Sequence, residues 1–303
     1  TLFVTLEPCN HYGKTPPCTD AILHAGIRRV VFAVEDPGPE SAGGARRLRE
    51  AGVEVVHGVE HDAARSLNAA FFHLRKESTP FIALKLALSL DAKISRAQGS
   101  PTRVTGAAAS AEVHRLRAGF DAILIGAATA QVDDPLLTVR GDVEPRTPPI
   151  RIVVDSALRI SPSGRLARGT ADAPLWVLTA EGAPAARAEA LEEAGARVIR
   201  LTGGGEGVDL ATAVALFRSE GVNTILCEGG GRLASALLQG DWVARLLLFY
   251  APVFFGEDAV EAFPMAGVNG ELAAGERWQL ASLRAFGDDT LLTFDRAPRA
   301  EWD

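Results

Sequence analysis

The sequence predicts an α/β protein built from two domains, and three observations carry that expectation. Short runs rich in leucine and β-branched residues alternate with helical stretches, which is how α/β units read. At 303 residues and 47% hydrophobic composition, the chain is long enough for two packed cores of ordinary size. Between Arg75 and Ile82 a charged helix end runs into Pro80 and then into a new apolar strand, which places the joint near Ser78.

The first domain, residues 1–78, opens on the strand-like run Leu2 to Leu6. A loop, a helix at 19–25, the strand "RRVVFAV" at 28–34 and helices at 42–51 and 62–76 follow. The second, residues 79–303, begins with the strand "FIALKLALSL". A helix at 107–118, the strand "DAILIG" (121–126) and a short helix lead to the strands "IRIVVDS" (150–156) and "LWVLTA" (175–180). Helices at 184–195 and 209–220 precede the strand "NTILCEGG" (223–230) and a helix at 231–239. "ARLLLFYAPVFF" and "WQLASLRAFGDDTLLTF" read as strands with a turn at Gly287–Asp289, an antiparallel finish to a mostly parallel sheet. "LTGGGEGVD" (201–209) reads as a phosphate loop or as a flexible connector, and the connector is preferred.

A formal charge of -7 argues against bulk binding to nucleic acid or to an anionic membrane, while leaving room for a local basic pocket that takes a phosphorylated small molecule. Three cysteines, no signal pattern and no apolar run of membrane-spanning length point to a soluble, reducing, cytoplasmic setting without structural disulfides. The chain begins on a strand with no polar leader, so an N-terminally incomplete sequence is expected.

Two of the cysteines lie in the loop "LEPCNHYGKTPPC". Cys9 ends a strand and Cys18 precedes a helix, so both thiols can face one ion, with the helix start favouring negative charge. Spacing alone leaves open a metal-binding pair and two unpaired cysteines in a rigid loop. The flanking residues add a resemblance. Pro8, Cys9, His11, Gly13, Thr15, Pro16, Pro17 and Cys18 match the P-C-x-H-x-G-x-T-P-P-C pattern of the long-loop zinc deaminase of riboflavin biosynthesis. That resemblance implies Zn2+ held by Cys9, Cys18 and a histidine from an upstream His-Ala-Glu motif, whose glutamate shuttles protons. Neither upstream residue is present here. His11 better suits a contact to the base or an ordering role than a place in the tetrahedron, and nothing in the sequence lets Glu7 replace the missing acid–base. A zinc-dependent pyrimidine deaminase domain of cytidine-deaminase-like α/β fold, represented by its C-terminal part and inactive as it stands, is therefore expected over 1–78.

Several motifs of the second domain have a physical reading of their own. "ILCEGGGRLASALL" is a strand, a glycine turn and a helix, so backbone N–H groups at Gly229, Gly230 and Gly231 can cradle a cofactor phosphate. Glu228, at a strand's C-terminal end, is a substrate contact or a helix cap. Arg117 and Arg140 form a fork for a sugar phosphate or lie on a solvated face. Lys85, alternating with leucines on a buried strand, calls for a partner such as Asp133 or Glu228, or else snorkels to water; it is the one candidate for a catalytic role.

"LKLALSLDAKI", "VTG", "EVHRLRAGFDAILIGAATAQVDDPLLTVR", "RIVVDS" and "CEGGGRLASALL" together resemble the reductase half of the bifunctional riboflavin deaminase–reductase. The resemblance implies a dihydrofolate-reductase-like α/β fold and NADPH as cofactor. It implies substrate contacts at Arg117, Leu136, Arg140 and Glu228, and cofactor contacts at Ala87, Thr129, Asp133 and Ser156; His114 is structural. Where that family usually carries serine, any residue and tryptophan before I-T-G, this chain has Pro101, Thr102 and Arg103. Pro101 then falls beside the substrate. Arg103 replaces a stacking tryptophan and can lie flat on a ring or meet the extra phosphate of NADPH. Ala92 likewise stands where glycine is usual.

The implied chemistry has two steps on a phosphorylated pyrimidine ribosylamine. Zinc hydroxide removes the 2-amino group of a diaminopyrimidinone, and NADPH then delivers hydride to C1' of the ring-opened sugar, turning ribosyl into ribityl. A homo-oligomer joined through the reductase domain is also implied. The alternatives are a single-function pyrimidine reductase, which would lack the cysteine loop, and a non-catalytic ligand-binding regulator of the same fold.

Overall fold

The computed structural model describes residues 1–202, 207–264 and 278–296. The chain forms two compact units, Thr1–Glu77 and Ser78–Asp303.

In the first unit, Leu2–Leu6 (β1), Arg29–Val34 (β2) and Glu54–His57 (β3) make a parallel sheet in the order β1-β2-β3. The middle strand β2 is buried from Val30 to Val34, as a parallel strand covered on both faces must be. Cys18–His24 (α1) and Gly44–Glu50 (α2) bring Ile22 and Leu48 to one apolar cluster with Val30 and Val53. His61–Leu67 (α3) and Ala69–Lys76 (α4) bring Ala64 and Phe72 to another, with Ala33 and Val34.

The single helix expected at 62–76 is thus two. The Asn68 side chain donates to the Ala64 carbonyl at 2.8 Å, a local bond that competes with the helical ladder. β3 is not among the expected strands, because four residues with exposed ends give too short an alternation to read.

Among the described residues, the second unit is built on nine strands in the order β13-β14-β11-β4-β10-β6-β7-β8-β9. These are Phe81–Leu88 (β4), Ala122–Gly126 (β6), Ile150–Val154 (β7), Leu175–Ala180 (β8), Arg197–Leu201 (β9), Thr224–Cys227 (β10), Val243–Tyr250 (β11), Trp278–Phe286 (β13) and Asp289–Arg296 (β14). From β11 to β9 all neighbours are parallel, while β14 and β13 run antiparallel and meet through a tight turn that pairs Phe286 with Asp289. Lys93–Ser95 (β5) and Val260–Glu261 (β12) form a separate small ribbon. Helices Ala107–Ala118 (α5), Ala127–Asp133 (α6), Arg165–Arg168 (α7), Ala185–Glu193 (α8), Leu210–Ser219 (α9) and Gly231–Gln239 (α10) complete the unit.

Two apolar clusters pack the sheet, one centred on Leu84, Leu124, Phe217 and Leu237, the other on Ile125, Val153, Val177 and Leu191. The β7 and β10 strands end earlier than the sequence suggests. After β7 the Asp155 carboxylate turns back to accept the Ile160 N–H at 2.8 Å, and after β10 two glycines take left-handed backbone angles. The stretch 201–209 read as a connector falls largely on residues 203–206, outside the described residues. Among the described residues no helix is long and apolar enough to cross a membrane.

One buried cation holds a loop region together without a carboxylate. Arg151, on β7, is fully buried and donates to the carbonyls of Leu166, Gly169 and Ala173 at 2.9, 2.9 and 2.6 Å, and more weakly to Leu136 at 3.4 Å. Burial pushes its pKa down, and Asp172 partly opposes that. Removing the guanidinium leaves several acceptors unpaired, each costing about 1–3 kcal/mol. Arg151→Met should therefore destabilise the protein by about 3 kcal/mol or more in urea unfolding; a loss under about 1 kcal/mol would show that water replaces these bonds.

Candidate active site

The register of the sheet assembles the site. Leu84 of β4 pairs with Cys227 of β10, so Lys85 and Glu228 are the next residues along two neighbouring strands. On β4, Lys85 and Ala87 are half-buried on one face, while Leu84, Leu86 and Leu88 are buried on the other, the period-two pattern of a strand. The Glu228 N–H donates to the Leu124 carbonyl at 2.9 Å, which ties the end of β10 to β6. Ligands in open α/β sheets bind beyond the carboxyl ends of strands, and Glu228 sits there, one residue past the end of β10.

Four charges meet at this point. Arg117, in the last turn of α5, grips Glu228 with two parallel bonds: Nε donates to Oε1, and Nη2 donates to Oε2 at 2.8 Å. Its Nη1 donates to the Thr138 carbonyl at 3.1 Å. Burial opposes the charge on Glu228, but Arg117 overcomes it with help from Lys85 and His114, so the carboxyl is held below the usual glutamate range. Arg117 is in turn raised: burial works against its charge and Glu228 more than offsets that. Lys85 is lowered, chiefly by burial and also by Arg117, while Glu228 and Asp133 oppose the shift. Its ammonium stands 5.8 Å from the Phe249 ring centroid. Asp133 is raised by partial burial, against the pull of Lys85.

Beside these charges lies the glycine turn. Gly229 and Gly230 have φ of 103° and 88°, angles that L side chains rarely adopt. A Cβ on Gly230 would stand 3.1 Å from the Thr129 Oγ1, and one on Gly231 would be 2.7 Å from the Glu261 carbonyl oxygen. The nine-residue α10 starts with no side-chain cap, so its first N–H groups remain to be met by a ligand or water. Cys227, next to Glu228, is fully buried; burial pushes its thiol up to about 12, which keeps it inert.

The remaining residues singled out by sequence lie as follows. Ala87 pairs with Phe249 on β11. The Ser156 carbonyl accepts from the Thr179 hydroxyl at 3.1 Å, and a cavity of about 430 Å³ adjoins the same turn at Arg159 and Ser161. Leu136 is half-buried and Pro101 is exposed. Arg140 and Arg103 are exposed and line a second cavity, of about 260 Å³, whose lining does not include Arg117. The Arg117 guanidinium is turned onto Glu228, while Arg140 lines the second cavity. His114, on the cavity wall, accepts the Arg140 N–H at Nδ1 (3.2 Å); burial and then the charges of Arg117 and Arg140 lower its pKa. Sequence reading passed over Phe249 beneath Lys85, and Arg115, which shares the Arg140 cavity. Ala107, Ser110, Ala111, His114 and Arg115 recur at helical spacing, so that cavity wall was open to detection.

Residues 80–292 match the family described as the RibD C-terminal domain. The chain belongs to the RibD family. The riboflavin biosynthesis protein RibD of Escherichia coli (strain K12) is 34% identical over 304 residues, covering 96% of this chain and 81% of that protein. A solved structure of Acinetobacter baumannii RibD, form 1, is 30% identical with a TM-score of 0.75, over 97% of this chain and 80% of that one. A Thermotoga maritima structure, described as a diaminohydroxyphosphoribosylaminopyrimidine deaminase/5-amino-6-(5-phosphoribosylamino)uracil reductase, is 27% identical with a TM-score of 0.75, over 97% of this chain and 79% of that one. The RibD C-terminal match contains Lys85, Arg117, Asp133 and Glu228, and it begins after the cysteine loop.

That loop does bring its two thiols together. The Cys18 N–H donates to the Cys9 Sγ at 3.3 Å, and the Cys18 thiol is raised, first by its hydrogen bond to the Cys9 thiol and then by burial. Among the described residues no group of three metal-ligating side chains forms. A water-activating zinc takes three protein ligands, so the donor set described, two thiols, does not fit one. Glu7 is committed elsewhere: its carboxylate accepts the N–H groups of Asp36 at 3.2 Å and Ala45 at 2.8 Å, tying β1 to the start of α2.

The Arg117–Glu228 pair generates a stability test with a defined sign. Because the folded pKa of Glu228 is depressed, its contribution is complete above the ordinary glutamate value of 4.5 and is lost as pH falls through the folded value. Arg117→Met should cost about 3–5 kcal/mol near neutral pH, as removal of one partner of a buried pair does. The penalty should shrink on acidification below 4.5. A penalty independent of pH in urea unfolding would contradict the pairing.

Proposed function

We propose that the second unit is the reductase of riboflavin biosynthesis, and that it reduces the ribosyl group of a deaminated, phosphorylated pyrimidine ribosylamine to ribityl. The observation that carries this reading is the buried Lys85 set among Glu228, Arg117 and Asp133 beside an uncapped glycine turn, in a chain of the RibD family.

The residues present fit a nicotinamide dinucleotide. The turn at Gly229 to Gly231 and the open start of α10 suit its phosphates, with Ala87, Thr129, Asp133 and Ser156 around it. When bound, NADPH supplies the hydride that C1' of the sugar receives.

The protein's own part is proton handling and placement. As the C1'–O4' bond opens, its electron pair leaves with O4', which takes a proton from the Lys85 ammonium. The exocyclic nitrogen lends its lone pair to C1', making the iminium carbon that is reduced. A lysine whose pKa is lowered is a better proton donor than an ordinary one. Asp133, solvent-exposed and with a raised pKa, suits the return of that proton from bulk water. Glu228, kept ionised and oriented by Arg117, retains lone pairs for a sugar hydroxyl, with Leu136, Arg140 and Pro101 completing the substrate's surroundings. For the first unit, the deamination implied by resemblance has no complete zinc site among the described residues.

The test is loss of NADPH absorbance with deaminated ribosylaminouracil phosphate as substrate. Turnover is expected, and Lys85→Met should lower kcat about 10²- to 10⁴-fold. In the wild type, kcat should fall on the alkaline side with an apparent pKa below 10.5, and that limb should vanish in the variant. Absence of turnover from folded protein would overturn the assignment.

A further inference from the structure

Gly229 and Gly230 answer to left-handed backbone angles, but Gly231 has no such angle, and what excludes a side chain there is space. A Cβ on Gly231 would meet the carbonyl oxygens of Glu261 and Ala262 at 2.7 and 3.0 Å and the Pro264 Cδ at 2.9 Å. The backbone of 261–264 therefore lies directly against the first residue of α10. Thr129 approaches Gly230 in the same way, so the turn is packed by α6 as well as by this segment.

The segment belongs to a strap, residues 251–262, that is stitched to the chain following β4. The Ala251 N–H donates to the Leu88 carbonyl and the Leu90 N–H to the Val253 carbonyl, both at 2.8 Å, and the Ala262 N–H donates to the Ala92 carbonyl at 3.3 Å. The β5–β12 ribbon continues the seam, with Lys93 Nζ 3.6 Å from Glu261 Oε1. Where the strap turns, the Asp91 carboxylate accepts the N–H groups of Phe255 at 3.1 Å and Gly256 at 2.8 Å. The Ser89 hydroxyl first, and these two N–H groups after it, hold the Asp91 carboxyl down at about 2, so the anchor stays charged at any ordinary working pH. Beside it Ala92 has a φ of 55°, a left-handed angle costly for a residue with a Cβ, which the bonds on either side sustain.

We propose that Asp91 is a positioning residue for the nicotinamide dinucleotide: by anchoring the strap it fixes the backbone that bears on Gly231, and through it the start of α10, whose N–H groups receive the cofactor's phosphates. This rests on the reading of the second unit as a reductase. The Asp91 carboxylate is spent on the strap, so it acts through the main chain and touches neither cofactor nor substrate.

The test uses the full chain, with calorimetric titration of NADPH, steady-state kinetics with deaminated ribosylaminouracil phosphate, and amide exchange. Asp91→Ala should speed exchange at Phe255, Gly256 and Ala262 and weaken NADPH binding about tenfold, as loosening the support of a binding group does. KM for the ribosylamine should stay as it is. Asp91→Asn, which keeps one acceptor oxygen for the Gly256 N–H, should recover part of the loss. Because Asp91→Ala also removes stabilising bonds, Ala92→Gly is combined with it. Glycine relieves the left-handed angle and should raise Tm by about 2 °C, yet leave NADPH binding as weak as in Asp91→Ala alone. Recovery of NADPH affinity together with stability in the double variant would show a merely structural role and overturn the proposal, as would unchanged NADPH affinity in Asp91→Ala. Wild-type protein whose NADPH binding depends on Asp91 but which does not turn over the ribosylamine would refute the reductase reading and leave the positioning role standing. Turnover with NADPH affinity indifferent to Asp91 would do the reverse.

Discussion

The buried pair between Arg117 and Glu228 is the constraint on which the active end of the second unit depends. It joins the last turn of α5 to the end of β10, and through the Thr138 carbonyl it also fixes the loop that leads to Arg140. Two ions taken out of water are expensive, and a pair of this kind is sustained only when its geometry is good and its remaining donors are met. Both conditions hold here, since the guanidinium makes two bonds to one carboxylate and a third to a carbonyl. The pair is better understood as a device for orienting Glu228 than as a source of net stability.

Its second consequence is electrostatic. Lys85, half-buried, lies one strand away from Glu228; burial lowers its pKa and the charge of Arg117 lowers it further. Glu228 and Asp133 keep the ammonium from being lost altogether. The result is a lysine displaced from its ordinary range but still able to hold a proton, next to a glycine turn open to phosphate. Burial moves both ionisable groups off their ordinary values, Lys85 downward and Asp133 upward, each against the pull of the other.

Much of this was legible in the sequence. The helices at 107–118 and 231–239 and the strand at 175–180 coincide with α5, α10 and β8. Lys85 betrayed itself by alternating with leucines, since an ion on a buried strand needs partners. The β4 register then supplied the acidic neighbours that the sequence could only nominate. What could not be read was pairing across long separations. Arg117 and Glu228 are 111 positions apart, and an arginine in a helix's last turn gives no sign of which anion will claim it. The same blindness hid Arg115 in the cavity wall. Asn68 split an expected helix through a side-chain bond that composition does not report, and β9 was missed because its two arginines interrupt the apolar pattern. In the first unit the Cys9–Cys18 meeting followed from their places at a strand end and a helix start, whereas the part Glu7 plays, a tie between β1 and α2, could not be read from its place in the sequence.

The most direct measurement is the titration of Lys85 itself, by NMR of protein carrying lysine labelled at Cε, in the wild type and in Glu228→Gln. The expected result is a Lys85 pKa below 10.5 in the wild type and lower still in the variant, because the carboxylate that supports the ammonium has been removed. A Lys85 that titrates at or above the ordinary lysine value, or that does not respond to Glu228→Gln, would contradict the buried charge cluster as the origin of its proton chemistry.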